Sequence, residues 1–308
     1  RAYVMGERCN TDYAPTEVEV NEMAALVREG VEAGALGFSS SKTLLHKDIH
    51  GEYMPGTFSG NDEMLALGLG MKGLKNSVFE LVSDHLGDDK EWAWVTDFQK
   101  QTGLTVTLIA TTAPAYENGK MYKLAEQARA EGREIRPQAA GRPTGVLHGL
   151  QSSFNAFVGH PTWRNKLANL DHDTLLARLA EPATKAQLLS EQSVIKGGLM
   201  QDLPSLMGQV FPLGENPNYE PLPEESIAGI AKANGRDVMD VMYDMLIANG
   251  GKELFYQPLG GYQGFSLDYQ KKLLEHPNVL FGLSDGGAHC GVIADAGMPT
   301  FIMTHWGR

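Results

Sequence analysis

The sequence predicts an α/β fold and, within that class, an eight-stranded (β/α)8 barrel of the TIM type whose N-terminal strands are missing. Short apolar runs of strand length alternate with amphipathic stretches of helix length, a pattern typical of parallel βα units. The 308 residues suffice for one large barrel, and a composition with 42% hydrophobic and 21% charged residues is that of a packed globular core. Both observations favour one large α/β domain.

The first predicted element is a helix over residues 16–34. Its apolar positions on one helical face are Val20, Met23, Leu26, Val27 and Val31. Thr16 and Glu19 have the spacing of a capping box at its start, and Gly34 can end it. The next run, residues 35–41, has an apolar half that suits a buried strand and a hydroxyl half that suits the exit of that strand.

The same alternation continues along the chain. Further strands are predicted at 78–82, 106–109, 135–138, 254–257 and 279–283, and helices at 90–101 and 121–131. Gly103 and Gly132 can end those two helices. Pro137 removes a donor from the strand ladder, so we expect its strand to be short or irregular.

Six predicted strands are too few for an eight-stranded barrel. Because the sequence starts in the middle of the pattern, we expect the missing strands to precede Arg1. An open doubly wound sheet is the competing architecture, but its usual marker, a GxGxxG motif after the first strand, is absent.

Residues 150–251 break the alternation of strands and helices. Helical segments are predicted there at 173–179, 185–189, 226–233 and 238–246, around a Pro- and Asn-rich stretch at 211–223. We therefore predict one incomplete barrel domain over residues 1–308, with a helical insertion at 150–251 between two of its strands.

Charge and cysteine content restrict the possible partners and compartment. A formal net charge of -12 argues against nucleic acid or an anionic membrane as the main partner, since both need a basic patch. No apolar run approaches the ~18 residues of a membrane span. Two cysteines and 13 methionines fit a reducing compartment. We expect a cytoplasmic protein that acts on a small molecule.

Asp285 is the strongest candidate for a catalytic residue. In parallel α/β folds the working residues lie just beyond the carboxyl ends of strands, and Asp285 follows the apolar run 279–283. Gly286 and Gly287 let the backbone turn sharply after it. A carboxylate so placed can bind a metal ion or accept a proton from metal-bound water, although an aspartate before two glycines is also a common turn signal.

The segment around Asp285 carries a family resemblance. Residues 282–289, Gly-Leu-Ser-Asp-Gly-Gly-Ala-His, with the later Asp295, Pro299-Thr300 and Thr304-His305-Trp306, resemble the last strand and loop of D-aminoacylase-like amidohydrolases. Segments 1–6, 34–39 and 135–138 match the same relatives. The resemblance implies the C-terminal part of an N-acyl-D-amino-acid deacylase on a metal-containing barrel. It also implies that Asp285 is the general acid/base beside a divalent metal ion, expected to be zinc.

The other metal ligands of that family match this sequence less well. The His-x-His pair of the first strand is absent, and we expect most ligands upstream of residue 1, so that the 308-residue piece alone is inactive. The middle strands end in Ser83-Asp84 and Ala110-Thr111, where such enzymes supply histidines. His85 is either a substitute metal ligand or a solvated loop residue.

Four further residues complete the predicted site. His289, four residues after Asp285, either orients that aspartate or touches substrate. Ser40 and Lys42 lie at the exit of the first strand as candidates for substrate binding. Lys42 is otherwise a solvated lysine or, as in some amidohydrolases, a carbamylated lysine that bridges two metal ions. Arg142 is either a bidentate clamp for a substrate carboxylate or half of a structural ion pair.

The leading hypothesis is hydrolysis of the amide C–N bond of an N-acyl-D-amino acid. One alternative is a cyclic-amide hydrolase of the same superfamily, which shares the fold and Asp285 and differs in the pocket. Another is a barrel that binds a ligand without catalysis, which the missing middle-strand histidines favour. A phosphate-binding barrel is the weakest alternative, because Gly286-Gly287 has only Gly260-Gly261 as a glycine-rich counterpart.

Overall fold

The computed structural model describes residues 1–11, 14–44, 46, 48, 52–75, 77–85, 88–109, 120–195, 206–284, 291–292 and 295–307. The chain divides into two compact units. The first comprises Arg1–Ala139 and Leu273–Gly282, and the second comprises Ala140–Lys272 and Leu283–Arg308.

Strands and helices occupy most of the described residues. Strands β1 to β8 span Gly37–Lys42, Val78–Ser83, Thr105–Ile109, Ile135–Ala140, Thr144–His148, Phe211–Pro212, Phe255–Gly260 and Leu280–Gly282. Helices α1 to α12 span Ala2–Met5, Arg8–Thr11, Glu17–Glu32, Asn61–Gly70, Asp89–Thr102, Lys120–Ala130, His172–Leu179, Pro182–Ser190, Ile227–Asn234, Val238–Gly251, Asp268–Leu274 and Met298–Phe301. Within these ranges, every helix falls short of the length and apolar content that a bilayer crossing requires.

The first unit contains a five-stranded sheet in the order β1-β2-β3-β4-β8. The pairs β1–β2, β2–β3 and β3–β4 are parallel, with α4, α5 and α6 in the intervening chain. These elements confirm the predicted βα units and a mixed α/β fold with a parallel sheet. Five strands do not demonstrate a closed barrel, so the eight-stranded barrel stays a prediction.

Helix α3 begins and ends as the sequence predicts. The Thr16 side chain accepts a hydrogen bond from the Glu19 amide, while the Glu19 carboxylate accepts one from the Thr16 amide. This reciprocal capping box satisfies two of the amide groups that a helix start leaves without partners. After α5, Gly103 adopts a φ of 70° that favours glycine and ends the helix.

One face of the parallel sheet is apolar and packs against helices. Phe79 and Leu81 of β2 are fully buried, and the Phe79 ring lies 4.4 Å from the ring of Phe98 on α5. Val106 and Leu108 of β3 extend the same cluster. Burial of such side chains stabilises the unit by roughly 1.5–3 kcal/mol each.

The opposite face of the sheet carries polar side chains. The strand register aligns Ser39 with Glu80, Glu80 with Thr107, and Thr107 with Arg136. Because successive residues of a strand point to opposite faces, this row lies on the side away from Phe79.

The prediction of a short or irregular strand around Pro137 was wrong. Strand β4 has six residues, and its partners continue in register through Pro137, which lies opposite Leu108. A single proline removes only one donor, and the residues on both sides of it stay paired with β3.

The second unit contains a three-stranded sheet in the order β5-β7-β6. Both of its pairs are antiparallel, with His148 opposite Phe255 and Phe211 opposite Tyr256. The strand predicted at 254–257 as a member of the parallel series is β7, so that assignment was wrong. Residues 255–258 are all buried, and a strand buried on both faces shows no alternation that would reveal the direction of its partner.

Helices surround the core of the second unit. Predicted helical segments are confirmed as α7, α8, α9 and α10, and each of α7, α9 and α10 has a capping side chain at its start, from Asp171, Ser226 and Asp237. The buried cluster includes Phe157, Trp163, Leu179, Val210, Met242, Leu246 and Phe255. The predicted insertion at 150–251 lies within this unit, and its role as an insertion into a barrel stays a prediction.

Candidate functional site

Asp285 and His289, the two predicted catalytic residues, lie outside the described residues. The strand before them is described: β8 ends at Gly282, three residues before Asp285, and is the neighbour of β4 in the sheet. Asp285 therefore follows directly on a strand of the sheet that contains the parallel strands β1 to β4.

Lys42 and Ser40 lie on β1, on the same face as Phe79. The Lys42 Nζ lies 3.4 Å from Glu91 Oε1 and 4.4 Å from the centre of the Trp94 ring. The Lys42 and Glu91 side chains are only 13% and 10% exposed. Partners on the same unit thus already balance this ammonium group, which favours a structural role.

His85 lies in the turn after β2 and is exposed to solvent. Its side chain is 65% exposed, and its Nδ1 lies 3.5 Å from Asp88 Oδ2. Among the described residues there is no group of three or more His, Cys, Asp and Glu side chains that could hold a metal ion. The described residues therefore do not fit a bound zinc ion, and the role of His85 as a ligand stays a prediction.

Arg142 is buried in the second unit, where its side chain is 1% exposed. Its Nη2 lies 3.6 Å from Asp295 Oδ1, and its guanidinium group lies 4.3 Å from the centre of the Tyr219 ring. The sequence left two roles open for Arg142, a clamp for a substrate carboxylate and half of a structural ion pair. A buried cation beside a carboxylate and an aromatic ring is the arrangement of the structural ion pair.

The first unit contains a cavity of about 790 Å³ that the sequence did not predict. Its polar wall includes Arg1, Ser39, Ser40, Ser41, His46, Ser59, Glu63 and Glu80. Its apolar wall includes Met23, Leu26, Val27, Phe38, Met64 and Leu67. Ser40, which the sequence predicts as a substrate-binding residue, lines this cavity.

Two polar contacts organise that cavity. The guanidinium of Arg1 donates to both oxygens of Glu63 at 2.8 and 3.1 Å, and the Ser59 hydroxyl donates to Glu63 Oε1 at 3.2 Å. The Ser41 hydroxyl lies 2.9 Å from His46 Nδ1. Arg1 and Glu63 are 62 residues apart, so no local sequence pattern predicts their contact. The sequence shows only that Glu63 stands beside the apolar positions of α4.

A buried polar pair lies in the antiparallel sheet of the second unit. His148 Nε2 is 2.7 Å from Gln257 Oε1, and because an amide oxygen only accepts, Nε2 carries the hydrogen. Burial lowers the pKa of His148 from 6.5 to about 4, against the smaller opposing effect of the hydrogen bond to Gln257. The imidazole is therefore neutral near pH 7.

Comparison with known proteins gives solved structures only, since neither a protein-family model nor a curated protein matches the chain. The N-acyl-D-glutamate deacylase from Bordetella bronchiseptica, complexed with zinc and a phosphonate inhibitor, is 17% identical with a TM-score of 0.42; the match covers 89% of this chain and 44% of that one. A mutant D-aminoacylase in complex with CuCl2 is 14% identical with a TM-score of 0.40; the match covers 89% of this chain and 45% of that one.

An L-hydantoinase (dihydropyrimidinase) from Arthrobacter aurescens is 15% identical with a TM-score of 0.28, over 41% of this chain and 31% of that one. The chain thus spans less than half the length of each of these proteins. The names of the two deacylases agree with the family that the sequence resembles.

Proposed function

We propose that the protein hydrolyses a non-peptide amide C–N bond, with N-acyl-D-amino acids as substrates and Asp285 as the general acid/base. The observation that supports this proposal is the position of Asp285, three residues after the end of β8 and within the segment 282–289 that resembles the deacylases. Residues beyond the carboxyl ends of strands carry the chemistry of parallel α/β enzymes.

Asp285 has two tasks in this reaction. Its carboxylate accepts a proton from water as the water oxygen attacks the acyl carbon, and a tetrahedral intermediate forms. The same group then gives that proton to the amine nitrogen as the C–N bond breaks. The products are the free carboxylic acid and the amino acid with a free amino group.

A divalent metal ion, expected to be zinc, is the cofactor of the family that the sequence resembles. The described residues contain no group of three or more His, Cys, Asp and Glu side chains that could hold such an ion. The proposed ligands are His85 and, outside the described residues, Asp285.

The experiment is an assay of the protein expressed from its complete coding sequence. Release of free amino acid is measured with N-acetyl-D- and N-acetyl-L-amino acids, with and without added zinc, beside ring opening of a cyclic amide; bound metal is quantified in parallel. We expect deacylation with a preference for the D-substrates. Ring opening without deacylation would support the cyclic-amide alternative, and no turnover of any amide would contradict the proposal.

A further inference from the structure

The second unit contains a cavity of about 660 Å³, lined by described residues between Leu150 and Leu175. It lies between the loop 150–155, the π-helix Trp163–Leu167 and the start of α7. π-Helical turns are rare and are frequent at functional sites. Among the described residues that line this cavity, none carries a carboxylate.

Arg164 gives the cavity a positive charge. Within the part of the chain that the structure describes, its guanidinium group has no ion pair or side-chain hydrogen bond, although it lines the cavity. Guanidinium groups bind carboxylates through two parallel hydrogen bonds. Arg164 is exposed to solvent at this cavity, and a lining with this cation and no described carboxylate favours an anion.

Asn155 adds a hydrogen-bond donor of fixed orientation. The residue is 2% exposed, and its Oδ1 accepts a hydrogen bond from the Phe157 amide at 2.9 Å. This bond directs the oxygen to the protein backbone and leaves the amide Nδ2 as a donor. A ligand oxygen in the cavity can accept a hydrogen bond from this amide.

Apolar side chains form the rest of the wall. Trp163 and Leu175 are each 6% exposed and belong to the core of the unit, and the cavity is further lined by Leu150, Val158 and Leu170. A ligand that fills this space therefore has an apolar part as well as an anionic group.

We propose that this cavity binds a small organic carboxylate with an apolar chain, held by Arg164 through its carboxylate and by Asn155 through a hydrogen bond. The site is independent of the proposed hydrolysis, because it needs neither Asp285 nor a metal ion. Its failure or success in a binding experiment therefore does not depend on whether the protein is an amidohydrolase.

The experiment is isothermal titration calorimetry of the whole protein with hexanoate, acetate and inorganic phosphate. We expect saturable binding of hexanoate that is tighter than that of acetate or phosphate. Arg164→Gln is expected to weaken hexanoate binding at least about tenfold, because it removes the charge-assisted hydrogen bonds. Lys166→Gln is the matched control, since Lys166 lies on the same π-helix with the same charge but does not line the cavity. It is expected to change the affinity less than about twofold.

A second variant separates loss of binding from loss of structure. Asn155→Asp keeps the oxygen that accepts from the Phe157 amide, but replaces the donor with a negatively charged oxygen that repels a carboxylate. We expect an unchanged circular dichroism spectrum and loss of hexanoate binding. Absence of saturable binding to the unaltered protein, equal weakening by Arg164→Gln and Lys166→Gln, or equal affinity for acetate and hexanoate would each overturn the proposal.

Discussion

In the sheet of the first unit, four neighbouring strands follow one another along the chain, whereas the sheet of the second unit joins strands that are far apart. β1 to β4 pair in sequence order, but His148 of β5 meets Gln257 of β7 across 109 residues. The two sheets also differ in the side chains that they bury. The first buries Phe79 and Leu81 against helices, and the second buries a neutral histidine beside an amide.

The two sheets are therefore sensitive to different changes, one to the loss of apolar packing and the other to pH. The apolar packing around Phe79 in the first unit involves no group that titrates. In the second unit, the charge state of His148 changes between the folded and unfolded chain. A variant at Phe79 and a pH dependence at His148 therefore test these two features separately.

The largest expected effect on stability is in the aromatic centre of the first unit. Phe79→Ala removes a fully buried ring that contacts Phe98, and we expect a loss of about 3–5 kcal/mol in the free energy of unfolding, measured by urea denaturation. Phe281→Ala is the matched control, because Phe281 lies in the same sheet but is 55% exposed. A similar loss for both variants would show that the apolar face does not carry the stability of the unit.

The second effect is a pH dependence that comes from His148. The folded chain binds its proton only below about pH 4, while the unfolded chain binds one below about pH 6.5. Between these values the unfolded state holds more protons, so stability falls as the pH falls. Across this pH range His148 lowers the free energy of unfolding by on the order of 3 kcal/mol.

The measurement is the unfolding free energy as a function of pH for the unaltered protein and for His148→Gln. Glutamine supplies an amide donor near the position of Nε2 but does not titrate, so this variant is expected to lose the contribution of His148 to the slope between about pH 4 and 6.5. The contribution of His160, whose pKa burial also lowers, is expected to remain. His85→Gln, at a histidine that is 65% exposed, is expected to keep the slope of the unaltered protein. An unchanged slope in His148→Gln would contradict the account of the second unit.

The smallest expected effects are at two helix caps, one in each unit. Ser226 is 2% exposed and accepts a hydrogen bond from the Gly229 amide, whereas Thr16 is exposed at the start of α3. Loss of a buried cap leaves an amide without water, so we expect Ser226→Ala to cost about 1–2 kcal/mol and Thr16→Ala about 0.5–1 kcal/mol. Urea denaturation of the two variants measures the difference, and a larger cost for Thr16→Ala would reverse the interpretation.

The sequence predicted the first unit better than the second for a physical reason. In β2, Phe79 and Leu81 alternate with Glu80 and Val82, and a helix that ends at Gly103 follows, so this βα unit shows its structure locally. In the second unit, β5 at Thr144–His148 was missed. Its partner β7 lies more than a hundred residues later, and no local pattern records such a pairing.

The site was predictable only where a motif is local. The segment around Asp285 is contiguous in sequence, whereas the contact between Arg1 and Glu63 joins residues 62 positions apart. Lys42 shows a further limit: its place after three serines suggested an exposed strand end, but the register pairs it with Ser83, and its Nζ lies 3.4 Å from Glu91 on α5. Which face a side chain takes depends on register, and a shift by one residue reverses it.

The central claim is tested most directly by comparing two aspartates that each follow a strand. Asp285 follows β8, and Asp84 follows β2, where its Oδ2 accepts a hydrogen bond from the Leu44 amide at 2.9 Å. In the deacylation assay we expect Asp285→Asn to lower kcat/KM roughly 10²- to 10⁴-fold, because the proton acceptor is lost. We expect Asp84→Asn, which keeps an accepting oxygen, to stay within about threefold of the unaltered protein. Retention of most activity in Asp285→Asn, or an equal loss in both variants, would contradict the claim.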